Sequence, residues 1–257
     1  MQLCGGRTLS TGVRVVVVYW AADTIYRGTP APGAHGAGDA DTSLIGYFLR
    51  HLGGSPWWNI ESTYGVANVL TYDAYWANNV NVTTGSLTGA FVSEAQIVAM
   101  LQSGVAAHTI PTGTDVIYVV MTGPNVTSIS NFPTTCGDHN ASGGLVYAVI
   151  PYSTHTYCEM FTGVAPYLSP NADAADDVML SMAHEIAEAA TDPVPNTGWM
   201  WAGVTGRENA DRCGRDIGTT YTTANGGMAN VRLGDRDFLI QRNWLNIGAG
   251  SCALGYP

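Results

Sequence analysis

Residues 174–191 constrain the fold of this chain more than any other stretch, because they combine helical spacing with a fixed polar line on an apolar background. As a helix they bury Val178, Met182, Ala183, Ile186 and Ala190 on one face and carry Ser181, His184, Glu188 and Thr191 as a stripe on another. A solvated surface is the bland reading of such a stripe. Composition weighs against it: the chain has only six Glu, two lie in His184-Glu185-Ile186-Ala187-Glu188, and a third follows in Glu208-Asn209-Ala210-Asp211-Arg212-Cys213. The ends are marked as well. Asn171 or Asp173 can cap the start, Asp176 and Asp177 complement the positive end of the dipole, and Pro193 prevents continuation.

His184 and Glu188 lie four apart and project from one face, so both can grip one metal ion. Glu185 stands where the His-Glu-x-x-His zinc peptidases carry the base that activates water. Here Glu188 replaces the second His. One imidazole with carboxylates is a harder ligand set than two imidazoles, and it admits Ca²⁺ or Mn²⁺ beside Zn²⁺.

The 257 residues suit one large domain or two small ones, and nothing resembles a linker. All ten basic residues are Arg, with no Lys, against 20 acids, for a net charge of −10. Nucleic-acid binding, a P-loop and Schiff-base chemistry are disfavoured. A charged content of 12% leans towards an extracellular protein with a neutral polar surface. The five cysteines sit in polar, turn-rich segments that suit disulfides. Cys136 and Cys158 flank one apolar run, Cys213 and Cys252 bracket the C-terminal quarter, and Cys4 is left over. Sequons begin at Asn81, Asn125 and Asn140, so a glycoprotein is expected where the host is a eukaryote. No signal peptide is evident, and no apolar run approaches the ~20 residues a membrane span needs.

Elements alternate along the chain. Val13–Trp20 reads as a buried strand, Thr42–Leu52 as a helix ended by Gly53-Gly54, and 55–64 as turn-rich with Trp57, Trp58 and Tyr64. Val66–Trp76 reads as extended, and Ser93–Gln102 as a helix with a Ser-x-x-Gln capping box, ended by Gly104. Asp115–Met121 and Leu145–Tyr152 read as central strands, and Cys136–Asn140 as a polar loop that can pass near the site, with His139 read as an exposed loop residue rather than a ligand. After a loop through Trp199, Trp201, Gly203 and Gly206 come short strands at Thr219–Thr223, Met228–Leu233 and Phe238–Trp244, separated by Asn225-Gly226-Gly227 and Gly234-Asp235 turns. By analogy this order is that of a zincin-like α/β (α+β) single domain over residues 1–257, with a mixed central sheet, a metal-type helix and short C-terminal strands. Residues 1–12 are expected as a flexible or interacting arm.

Trp57-Trp58 with Tyr64, Ile117–Met121 followed by Val126-Thr127, Cys136-Gly137-Asp138-His139, the His184–Glu188 helix with Thr191-Asp192-Pro193, and Glu208–Cys213 together resemble the EXORDIUM or phosphate-induced protein family over nearly the whole chain. The resemblance implies a secreted protein, associated in plants with the cell wall and growth, and a polar cluster of His184, Glu185, Glu188, Glu208 and Asp211. On the gluzincin pattern His184 and Glu188 would ligate the metal, Asp211 or Glu208 would complete the site, Glu185 would be the base, and Asp192 would hold a ligand from behind. Zn²⁺ is expected if the site is catalytic and Ca²⁺ if the same acids only staple the loop to the helix. A metal-free pairing of His184 with Asp211 is a third possibility. Two functions stay open: a metal-dependent hydrolase, foremost a peptidase, and a non-catalytic extracellular structural protein, able to form a homopolymer. The partners expected are a wall polymer, a peptide or a second copy of the chain, with Trp57, Trp58, Trp199 and Trp201 available to stack on sugars.

Overall fold

The computed structural model describes residues 1–20, 26–78, 90–123, 126–127, 135–152, 158–204 and 207–257. The β-branched run Val13–Trp20 (β1) has both faces buried, as a strand inside a parallel sheet requires. It pairs in parallel with Leu70–Trp76 (β3) on one side and Val116–Thr122 (β4) on the other. Leu145–Ile150 (β6) adds in parallel to β4. Antiparallel strands His35–Ala37 (β2) and Asp138–Ser142 (β5) close the two edges, giving a six-stranded mixed sheet in the order β2-β3-β1-β4-β6-β5.

Side-chain alternation distributes the core between the two faces. Val15, Val17, Tyr19, Ile117, Val119, Met121, Val146, Ala148 and Ile150 pack under helices Leu44–Leu52 (α1) and Asp176–Thr191 (α3). Val16, Val18, Tyr118, Val120, Tyr147 and Val149 pack against Ile97 and Leu101 of Glu94–Ala106 (α2) on the opposite face. The fold is therefore mixed α/β, with helices on both faces of the sheet.

Local chemistry fixes the helix starts. Ser43 caps α1 by accepting from the Gly46 amide, and Ser93 with Gln96 forms a full capping box on α2. For α3 the expected side-chain caps are not used: the N-cap is Ala175, with no side-chain cap bond. Asp173 instead accepts from the Ala175 amide, and the Asp176 carboxylate binds the amide of Asn171 and the Ser169 hydroxyl. Gly104 does not end α2; it lies inside the helix, where a Cβ would meet Trp76 at 2.7 Å.

Three further expectations change. Residues 58–64 form a 3₁₀ helix, and Trp57 and Trp58 are fully buried, which removes them as sugar-stacking groups. Trp199 is half-buried and donates to the Tyr64 carbonyl, while the exposed Trp201 stacks on Arg212, 4.3 Å from its guanidinium. Cys136–Asn140 is no exposed loop: its second half opens β5, and His139 is buried. The cause is the alternation of β5, which turns His139 towards α3.

The C-terminal region is a set of short hairpins, Tyr221–Thr222 with Met228–Ala229, Val231–Leu233 with Arg236–Phe238, and Asn243–Leu245 with Ser251–Ala253. Disulfides join Cys136 to Cys158 and Cys213 to Cys252, and Cys4 is free and exposed. Gln2 and Leu3 pair antiparallel with Met200 and Trp199, which lays the first residues along their own chain. Asn140 is half-buried in β5, where its side chain accepts from the Ala141 amide, whereas Asn81 and Asn125 lie outside the described residues. Among the described residues no helix is long and apolar enough to cross a membrane.

Candidate metal centre

The polar stripe of α3 faces a cavity of ≈ 800 Å³ whose walls include His139, His184, Glu185, Glu188, Glu208 and Asp211. Helical spacing sets His184 Nε2 3.1 Å from Glu188 Oε1. The loop after α3 returns Asp211, whose Oδ1 lies 3.8 Å from His184 Nε2 and whose amide donates to Glu188 Oε1 at 3.0 Å. Behind this return, Asn209 Nδ2 donates to the buried Glu61 at 3.0 Å, and Asn243 donates to its other oxygen. Burial holds the Glu61 carboxyl well above the usual range, and its two side-chain hydrogen bonds anchor the segment bearing Glu208 and Asp211.

His139 enters from β5. Its Nδ1 lies 3.6 Å from Glu185 Oε2 and 3.8 Å from Glu188 Oε2, and its Nε2 lies 3.5 Å from Glu208 Oε1. The Asp192 carbonyl, an acceptor only, sits 3.1 Å from Nε2 and assigns a proton there. His184 is oriented by similar logic. Gln241 donates through Nε2 to the Ala210 carbonyl at 2.9 Å, which turns its Oε1 to accept from His184 Nδ1 at 3.1 Å and leaves Nε2 facing the carboxylates. Asp192 supports the site through its carbonyl, while its carboxylate accepts from the amides of Asn196, Thr197 and Gly198.

Burial and crowding dominate the ionisation of the cluster. The Glu208 carboxyl is pushed up to about 12 by burial and by the neighbouring Glu188 and Asp192 carboxylates. Burial also raises Glu185 and Asp211, although His139 and His184 offset part of the rise at Glu185. At Glu188 burial acts upward but is outweighed by His184, which holds the carboxylate below its ordinary range. Burial likewise opposes the charged imidazoles and loses to the acids around them, so His139 rises to about 8 and His184 to about 10.

Two trios bring their ligand atoms within 4.8 Å of one another: His184, Glu188 and Asp211, and His139, Glu188 and Glu208. Glu208 Oε1 is buried without a hydrogen-bond partner, and the donors are imidazole nitrogens and carboxylate oxygens, so the residues present fit a divalent cation. Glu185 presses on the backbone at Gly137, where a Cβ would lie 2.6 Å from its Oε1.

A model of the phosphate-induced protein 1 conserved region matches residues 53–235. The chain belongs to the phosphate-induced protein 1 family. No curated protein and no solved structure matches the chain. The phosphate-induced protein 1 region contains all six cavity acids and imidazoles named above but leaves out β1, Gln241 and Cys252, which complete the sheet, the His184 support and one disulfide. Sequence reasoning missed Gln241 and Glu61 in this site and set His139 aside as an exposed loop residue. His139 carries no helical spacing to mark it, whereas Gln241 within Leu239-Ile240-Gln241 and Glu61 beside Trp57-Trp58 are polar residues in apolar surroundings, and that is a readable signal.

Proposed function

We propose that the protein is a secreted, metal-dependent hydrolase of peptides, with the cation held by His184, Glu188 and Asp211 and with Glu185 as the general base. The observation that carries this reading is the convergence of one imidazole and two carboxylates, within 4.8 Å, on the wall of a cavity that also contains a further acid on the same helix. A divalent cation in this position supplies Lewis acidity to a substrate carbonyl and lowers the pKa of water. Glu185 is poised for proton transfer because burial raises its carboxyl while His139 and His184 keep it ionisable. Gly137 and His139 fix its rotamer from two sides.

The edge strand supports a peptide as substrate. Asp138 and His139 of β5 line the cavity, and among the described residues no strand pairs with the outer side of β5. An extended peptide could add there through backbone hydrogen bonds. A mixed sheet with an antiparallel edge beside a His-Glu helix also fits a zincin-like architecture, with Glu188 in place of the second imidazole. Imidazole in the donor set favours Zn²⁺ over Ca²⁺. The paired disulfides support an oxidising, extracellular location.

A second reading has its own observation. The Asp211 amide on Glu188, and Gln241 between His184 and Ala210, tie the loop to the helix, as a structural site would. Fluorescence-quenched peptide libraries separate the readings. The hydrolase reading expects chelator-sensitive cleavage that Glu185→Gln abolishes with metal content intact and that His184→Ala abolishes with loss of the cation held by His184, Glu188 and Asp211. Cleavage by Glu185→Gln at the parent rate, or no cleavage by a metal-loaded parent, favours the structural reading.

A further inference from the structure

The two oxygens of Glu188 face different imidazoles: Oε1 lies 3.1 Å from His184 Nε2, and Oε2 lies 3.8 Å from His139 Nδ1. Each ring has its other nitrogen against an oxygen acceptor, His184 Nδ1 on Gln241 Oε1 and His139 Nε2 on the Asp192 carbonyl, both at 3.1 Å. Such support from behind is how metal-ligating imidazoles are oriented. Each ring also has a carboxylate beside it, Asp211 Oδ1 3.8 Å from His184 Nε2 and Glu208 Oε1 3.5 Å from His139 Nε2, the nitrogen on the Asp192 side, and each trio with Glu188 falls within 4.8 Å. Glu208 is only 7% exposed, lines the cavity, and keeps Oε1 without a hydrogen-bond partner. An unmet buried carboxylate oxygen is costly, and a cation satisfies it.

We propose that the cavity binds two divalent cations of the transition-metal class, bridged by the Glu188 carboxylate, the first on His184 and Asp211 and the second on His139 and Glu208. Charge favours the pair. Glu185, Glu188, Glu208 and Asp211 together carry four negative charges when ionised, and Arg207, 3.5 Å from Asp211 Oδ1, offsets one of them; the remaining three exceed what a single divalent cation neutralises in a largely buried site. A carboxylate spanning two cations sets them about 3.5–4 Å apart, the separation of two-metal hydrolytic sites. The first position rests on the function proposed above; the second is independent of any activity.

The metal-free full-length protein, titrated calorimetrically with Mn²⁺ and checked by elemental analysis after dialysis, should take two equivalents. His139→Ala and His184→Ala should each reduce this to one, and Glu208→Gln should weaken the second equivalent at least tenfold. Where circular dichroism shows that His139→Ala has not folded, the near-isosteric Glu208→Gln stands in for it. Electron paramagnetic resonance of the Mn²⁺-saturated parent should show an exchange-coupled pair, which needs no variant. One equivalent in the parent, with isolated six-line Mn²⁺ spectra, overturns the pair, and its loss in His184→Ala but not in His139→Ala leaves the His184 position standing. No equivalent at all overturns both.

Discussion

At the scale of single residues the centre is a contest between burial and charge, and its outcome predicts a pH dependence. Without a cation, His139 and His184 titrate at about 8 and about 10, above the ordinary 6.5, because acids surround them. A raised folded-state pKa gives stability that is fully present below 6.5 and is lost as pH rises through those values. Glu208, raised to about 12, acts in the same direction from the ordinary carboxylate range upward. Cation binding needs deprotonated ligands and strengthens as pH rises. The Tm of chelated protein should therefore fall from pH 6.5 to 9 while the Tm gain from saturating Zn²⁺ widens; scanning calorimetry showing a gap that is flat or narrows with pH would count against the assignment. Gly137→Ala should displace Glu185, since the new Cβ would sit 2.6 Å from its carboxylate, and lower hydrolysis about a hundredfold with the fold retained. A rate within twofold of the parent would show that Glu185 is not positioned there. His184, Glu188 and Asp211 were legible because helical spacing and a returning acid are local signals. His139 was not, since its inward turn depends on β5 pairing with β6.

At the scale of elements, each face of the sheet has its own task. The Cys136–Cys158 disulfide closes a 22-residue separation just before β5 and so anchors the strand that presents His139. Replacing both cysteines by Ser should cost about 3 kcal/mol in denaturant unfolding and also weaken cation binding. Ser93→Ala, at the α2 cap on the opposite face, should cost about 1 kcal/mol while leaving cation affinity unchanged. Equal effects of the two on affinity would break the link between β5 and the site. The Ser93 capping box was readable from four residues, but Gly104 was misread as a terminator. A glycine that ends a helix and one that admits Trp76 to its side look alike in sequence, and only packing separates them.

At the scale of the whole molecule, the sheet joins strands from Val13 to Ile150, and the Cys213–Cys252 disulfide ties the last hairpin to the segment that follows Asp211. β1 pairs on both edges within the sheet, so residues 53–235, the stretch that the family model matches, lack an interior strand as well as one partner of the Cys213–Cys252 bond. That segment alone should give the circular dichroism and dispersed-amide NMR signature of an unfolded chain, whereas residues 1–257 should unfold in one cooperative transition. A folded 53–235 fragment would contradict the single-domain reading. The strands were legible as β-branched runs, but their order was not, because parallel pairing joins segments with no local signal between them. The central claim is that the His/Glu/Asp cluster holds a cation. The most direct measurement is anomalous diffraction at the zinc absorption edge from crystals equilibrated with Zn²⁺. The account predicts a peak about 2.0–2.2 Å from His184 Nε2 and from a Glu188 oxygen. A map with no peak in that cavity, at an occupancy the data could detect, would contradict it.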